Sequence, residues 1–249
     1  MKDKVLLVTG ASRGIGAATA IRAASEGYSV CVNYLNDSDA AHNVRDEILA
    51  LGVKCIAVQA DVSDEKQVEI LFRKIDSEIG TITHLVNNVG ILKTKMPLLE
   101  MDNDRIQKVI NTNIMSLFYC SKEAISRMSK SKGGVGGAIV NVSSGASKSG
   151  SPFEYVDYAT SKGAMDTFTT GLAKEVAIED IRVNCVRPGG IYTDIHADGG
   201  EPDRVGRIAK HFPMKRGGKP EEVAEAIIWL LSDKASFVTG SFTDLCGGL

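Results

Sequence analysis

No two of the five cysteines form a Cys-x-x-Cys pair, and their odd total, scattered over Cys31, Cys55, Cys120, Cys185 and Cys246, offers no disulfide framework. Reduced thiols in a cytoplasm are the expectation. The four histidines show no His-x-x-x-His or His/Cys spacing, so no metal site is expected. Charge of one sign is missing too: the formal net charge is -2 and no run of Lys and Arg is long enough to track a phosphate backbone. The most basic stretch, 122–132, alternates Lys and Arg with Ser, Met and Ile and reads as the solvated face and end of a helix. Nucleic acid is therefore not an expected partner. The first apolar run, Val5-Leu-Leu-Val8, stops at Thr9-Gly10, far short of a signal-peptide core or a membrane span. Neither export nor a membrane partner is expected.

What is present is the ordinary composition of a folded enzyme-sized domain. With 249 residues, 43% hydrophobic and 24% charged, the chain can bury one large core, and residues 1–249 are expected to form one α/β domain. Short β-branched or apolar runs at 4–9, 29–34, 54–58, 83–87, 138–142, 182–186 and 241–244 alternate with segments of helical period. That alternation predicts a Rossmann-type fold, a seven-stranded parallel sheet with helices on both faces. Val68, Leu71, Phe72, Ile75 and Ile79 mark one amphipathic helix, and Val44, Ile48 and Leu51 a sparser one. Further helices are predicted at 15–26, 103–130, 156–178 and 221–231, the last led by Lys219-Pro-Glu-Glu222. The Gly-rich 132–137 segment ends a helix and enters a strand, the wrong order for a phosphate cradle, and reads as a plain connection. Residues 194–213 interrupt the alternation after the sixth strand, where a substrate lid would sit.

Two constellations carry chemistry. The segment Gly10-Ala-Ser12-Arg13-Gly14-Ile15-Gly16 follows a strand and opens a helix. Glycine there permits the turn and the close approach of a pyrophosphate, which helix N–H groups then hold. Further along, Tyr158 and Lys162 are one helical turn apart on one face, with Ser143 where the 138–142 strand ends, at the carboxyl edge of the sheet. Hydride transfer to a carbonyl leaves an alkoxide that needs a proton donor. Tyr158 is the expected acid, or base in the reverse direction, with Lys162 expected to lower its pKa. Ser144 is expected to point elsewhere, Tyr155 lacks a partner at the matching offset, and His196, Glu201 and Arg204 read as solvated lid residues.

Thr9-Gly-Ala-Ser-Arg-Gly-Ile-Gly16, Asp61-Val62, Asn87-Asn-Val-Gly90, Asn113, Ser143, Tyr158-Ala-Thr-Ser-Lys162 and Pro188-Gly189 occur in the order of the short-chain dehydrogenase/reductases, and the chain resembles that family along essentially its whole length. The look is that of bacterial glucose-dehydrogenase-like and 3-oxoacyl-carrier-protein-reductase-like members. The resemblance implies that Lys162 also grips the nicotinamide ribose, Ser143 bonds the substrate carbonyl, and Asn113 distorts its helix to hold a relay water. It further implies cofactor contacts from Asp61, Val62, Asn88, Val89, Gly90, Pro188 and Gly189, with the Ile191 backbone and Thr193 hydroxyl at the carboxamide. A homotetramer built on the long central helices and last strand is implied as well. Two places depart from the pattern: Val89 stands where Ala is usual, beside the expected adenosine ribose, and Ser116 where Gly is frequent.

Preference for NAD usually rests on a carboxylate at the end of the second strand. Here Asn33-Tyr34-Leu35 occupy that place, no acid follows until Asp37, and Arg13 could pair with a 2′-phosphate. NADP(H) is thus the expected cofactor, with NAD(H) left open. The reading is an oxidoreductase acting on a small-molecule carbonyl or alcohol. The competing readings are a dinucleotide-sensing binding protein without turnover and an oligomeric scaffold, neither of which requires the Asn113, Ser143, Tyr158 and Lys162 set.

Overall fold

The structure is a computed structural model that describes residues 4–249. In chain order it contains β1 (Val5–Val8), α1 (Gly14–Ser25), β2 (Ser29–Tyr34), α2 (Ser38–Ala50), β3 (Cys55–Gln59), α3 (Glu65–Glu78) and β4 (His84–Asn87). There follow α4 (Asn103–Ile110), α5 (Ser116–Met128), β5 (Gly137–Val142), α6 (Ala146–Ser149), α7 (Val156–Val176), β6 (Ile181–Pro188), α8 (Ile195–Asp198), α9 (Arg204–Ala209), α10 (Pro220–Leu231) and β7 (Phe242–Leu245). The seven strands form one sheet in the order β3-β2-β1-β4-β5-β6-β7, every pair parallel. Each expected strand is present with ends shifted by at most two residues.

Strand alternation divides the core. Val5 and Leu7 of β1 face one layer with Val68, Leu71, Phe72 and Ile75 of α3, while Leu6 and Val8 face the other with Ala20, Ala23 and Ala24 of α1. A strand buried on both faces must be apolar throughout, which is why β1 carries no polar residue. Phe72 is fully buried, and its truncation to Ala would cost about 3–5 kcal/mol.

The chain reverses its direction of winding between β1, which continues to β2, and β4. At such a switch point the loops leaving the carboxyl ends diverge and open a crevice, the place where parallel α/β sheets bind ligands. Three helices near it start on an aspartate cap: Asp37 accepts from Ala40 N–H, Asp64 from Lys66 and Gln67, and Asp102 from Arg105. Pro220 opens α10, and the Glu222 carboxylate accepts from the Lys219 N–H at 2.8 Å.

Three expectations need correction. The predicted 103–130 helix is two α-helices joined by a π-turn, Asn111–Met115, because one extra residue per turn does not disturb hydrophobic periodicity enough to be read. Leu51 is exposed rather than packed on the sheet, since it is already the C-cap of α2, turned off the apolar stripe. The 194–213 segment holds two short helices, α8 and α9. No helix among the described residues is long and apolar enough to cross a membrane.

Candidate active site

The floor of the crevice is the loop from β1 to α1. Gly10 and Gly14 have φ of +61° and +58°, a region that favours glycine. A Cβ on Gly16 would stand 2.5 Å from the Gly10 carbonyl and 2.6 Å from the Asn88 amide nitrogen, so only glycine lets α1 sit this close. Neighbouring strands hold the loop with neutral hydrogen bonds. Gly10 N–H donates to Asn33 Oδ1 at 3.3 Å, and Asn88 Nδ2 donates to the Thr9 and Gly10 carbonyls at 2.9 and 3.0 Å. Thr9 Oγ1 accepts from the Asn88 and Val89 N–H groups.

Unlike its neighbours, α1 has no side-chain cap and no acidic residue in its first turn. Its first N–H groups and the positive end of its dipole are left to an anion, which is the fit a dinucleotide pyrophosphate requires. Ser12 and Ile15 lie on this loop, partly buried. Thr193 closes the other side: its Cγ2 would be 3.3 Å from a Cβ on Gly14. Pro188 ends β6, Gly189 N–H donates to the Leu245 carbonyl, and Ile191 is buried and bridged to Gly218.

Not every expected cofactor residue offers a free side chain. The Asn33 amide is buried and occupied, donating to the Val58 and Ala60 carbonyls at 3.3 and 3.1 Å while accepting from Gly10. It builds the loop. Tyr34 is buried against Ser38, Val62 is core, and one oxygen of Asp61 accepts from both the N–H and the hydroxyl of Ser63. Val89 packs on the core beside Gly10. Beyond β2, Asn36, Asp37, Ser38 and Asp39 line an open recess of about 430 Å³. Arg13 is half-exposed and ion-paired with Asp198, with Asp194 at 3.9 Å, so the loop and α8 are tied together.

The chemical end sits on the first turns of α7. Asp157 beside Tyr158 is buried in an ion pair with Arg105 of α4, Nε to Oδ2 at 2.8 Å, and Arg105 also donates to the Thr94 carbonyl. Lys162 is 2% exposed. Its Nζ donates to the Val142 carbonyl at 2.7 Å and lies 5.6 Å from the centre of the Tyr158 ring. Burial pushes its pKa down to about 8. A Cβ on Gly90 would be 3.2 Å from that Nζ. Asn113 occupies the π-turn: its Oδ1 accepts from Ile91 N–H at 2.8 Å and its Nδ2 donates to the Ile91 carbonyl and to Ser161 Oγ. Behind it runs a buried chain from Ser121 through Asn87 and Asn141 to Thr169, which carries polar side chains into the core with their partners supplied.

Three site expectations are overturned. The hydroxyl touching Tyr158 is Ser144, not Ser143: Ser144 hydrogen-bonds the phenol, whereas Ser143 Oγ is buried and donates to the Lys162 carbonyl at 3.2 Å. The reason is strand parity. Ser143 N–H still bonds the Val186 carbonyl, so the ladder runs through it and its side chain shares the α7 face with Asn141. Parity counted from Asn141 was the signal that could have found Ser144. Second, the Tyr158 pKa is raised, not lowered: burial drives it up, and the opposing influences are the Ser144 hydrogen bond and then the charge of Arg204. Lys162 directs its ammonium to Val142 instead.

Third, the lid residues are not solvated. Arg204, with its side chain 14% exposed, pairs with Glu154 at 2.7 Å and Glu201 at 3.4 Å, and its guanidinium lies 4.7 Å over the Tyr155 ring. Glu201 also pairs with Arg207 at 2.5 Å and Lys95 at 3.6 Å, which holds its carboxyl down to about 2.

Comparison with known proteins gives a consistent result. A family profile described as enoyl-(acyl carrier protein) reductase matches residues 10–249. The chain is 57% identical over 244 residues to an uncharacterized oxidoreductase, YgfF, of Escherichia coli K12, covering 98% of this chain and 99% of that protein. It is 35% identical to the 3-oxoacyl-[acyl-carrier-protein] reductase FabG of Staphylococcus epidermidis, over 99% of both chains. Glucose 1-dehydrogenase 2 of Bacillus subtilis is 37% identical, over 100% of this chain and 95% of its own. Among solved structures, a short-chain type dehydrogenase/reductase from Mycobacterium marinum superposes with a TM-score of 0.90 at 33% identity, covering 98% of this chain and 94% of that one.

Proposed function

The chain belongs to the short-chain dehydrogenase/reductase family of nicotinamide-dependent oxidoreductases, and we propose that it interconverts a carbonyl and an alcohol with NADP(H) as preferred cofactor and Tyr158 as general acid/base. The observation that carries this reading is the buried Tyr158 phenol, hydrogen-bonded to Ser144, on the same sheet edge as the uncapped N-terminus of α1. Balanced, the reaction is carbonyl plus NADPH plus a proton giving alcohol plus NADP. Bound nicotinamide supplies the hydride. Ser144 holds the carbonyl oxygen, the role the sequence assigned to Ser143, and Tyr158 delivers its proton to that oxygen as charge develops. Burial keeps the phenol protonated at neutral pH, the state a donor needs. Lys162, four residues on, supports re-protonation and the ribose, and Asn113 fixes the turn behind it.

The cofactor would lie on Gly10 to Gly16, between that loop and Thr193, with Asp61, Asn88, Val89, Gly90, Ile191 and Pro188-Gly189 around it. Arg13 would take a 2′-phosphate after releasing Asp198. NAD(H) is a second reading, favoured by Asp37 and Asp39 beside the β2 recess. Five buried free thiols suit a cytoplasmic setting, and the exposed Phe118, in edge contact with Phe168 between α5 and α7, suits a homotetramer, checked by analytical ultracentrifugation. The test of the reaction is NADPH and NADH oxidation over a ketone and aldehyde panel. Cofactor binding without consumption would favour the sensing protein instead.

A further inference from the structure

Four buried side-chain polar atoms lack a hydrogen bond among the described residues: the Tyr28 and Tyr155 hydroxyls, Thr112 Oγ1 and His196 Nδ1. Tyr28 lies in the core beside His84 at the start of β4, and Thr112 in the π-turn. The other two lie under the lid, on the side of the site facing Tyr158. The charge of Arg204 reaches both of them and the Tyr158 phenol as well, which places all three around one guanidinium.

The chemistry of the two atoms is fixed by their surroundings. His196 Nε2 is 3.1 Å from the Ile191 carbonyl. A carbonyl only accepts, so Nε2 carries the proton and Nδ1 presents a lone pair. Burial lowers the His196 pKa, which keeps the ring neutral. Tyr155, 2% exposed, has Arg204 stacked over its ring rather than in line with its hydroxyl, and its O–H is free to donate. One unfilled acceptor and one unfilled donor therefore face the substrate side.

We propose that this pair is a recognition site for hydroxyl groups, and that the substrate is a hydroxyl-bearing carbonyl compound rather than one with a plain acyl chain. A hydroxyl donates to Nδ1 and accepts from Tyr155, whereas an acyl chain does neither and leaves both atoms buried and unmatched. A carboxylate could accept from Tyr155 but cannot donate to Nδ1, and Arg204 is already neutralised by Glu154 and Glu201. A site built to bond a hydroxyl rejects the analogue lacking it far more strongly than an apolar pocket rejects an extra one.

The proposal rests on the carbonyl–alcohol reading above, and the test separates the two. NADPH-dependent reduction of glyceraldehyde is compared with that of propanal, which differs only in hydroxyls, and of acetoacetyl-coenzyme A. Wild type is expected to favour glyceraldehyde in kcat/KM by about tenfold or more. Tyr155→Phe and His196→Leu should each shrink that ratio toward unity while leaving propanal turnover in place. Equal or better use of propanal or acetoacetyl-coenzyme A, or a ratio that both variants preserve, overturns the proposal; a merely structural role would lower all substrates together. If no carbonyl is reduced, the reaction reading falls, and calorimetric binding of glycerol against propan-1-ol with NADP present decides the site. Preference for glycerol that is lost in Tyr155→Phe supports it, and no preference sinks it.

Discussion

The floor of the site and its lid are held by different forces. Beneath the cofactor loop, Thr9, Asn33, Asn88 and Asn113 bind backbone with neutral, largely buried hydrogen bonds. The lid is held by ion pairs: Arg13 to Asp194 and Asp198, Arg204 and Arg207 to Glu154 and Glu201, Lys95 to Glu201. Buried neutral bonds are insensitive to salt and fix a single geometry, whereas partly exposed pairs contribute little each and are screened. The contrast is between a surface prepared in advance and a cover whose hold depends on conditions.

The sharpest way to break this contrast is at the phenol the two regions share. Tyr158→Phe should lower turnover by about 10²–10⁴-fold with cofactor binding intact by fluorescence titration; retained turnover would end the assigned role. Next in size is the floor itself. Gly16→Ala forces a methyl against the Gly10 carbonyl and should cost about 1–3 kcal/mol in urea unfolding, together with cofactor affinity. An unperturbed variant would show that the loop yields.

Arg13→Ala tests the seam between the regions. Losing a charge-assisted contact should raise KM for NADPH by about tenfold or more, with KM for NADH nearly unchanged; equal effects would refute a phosphate role. Acidity separates the regions by direction. Glu201 is held down to about 2, so the stability it lends the lid is full above its ordinary carboxylate range and is lost as pH falls toward 2. Lys162 is pushed down to about 8 from 10.5, so the unfolded chain binds the extra proton between those values and stability rises with pH across that window. Thermal melts against pH, wild type beside Lys162→Met and Glu201→Gln, should show the two slopes at opposite ends of the scale. The smallest effect concerns screening alone. Roughly 1 M salt, with a screening length of about 3 Å, should speed proteolytic cleavage within 194–213 and leave the glycine loop protected.

The two regions were not equally legible. The floor announced itself because its glycines, strand and helix start are contiguous, and each of the seven strands is a local apolar run. Ser144 was missed because two adjacent serines differ only in strand parity, which depends on how far the β5 ladder extends. The π-turn at Asn113 leaves no mark on an apolar stripe. The lid network was hidden for another reason: Glu154, Lys95, Glu201 and Arg204 come from separate segments, and nothing local marks which charges will meet.

The Arg105–Asp157 pair next to the phenol has a consequence for how the sequence can drift. Removing either partner strands the other charge in the interior at about 3–5 kcal/mol, although an apolar pair of similar volume would be tolerated. Every single substitution at these two positions thus descends into a fitness valley. Descendants of this chain should keep both or exchange both at once, and a survey finding one without the other should also find a third residue standing in for the lost charge.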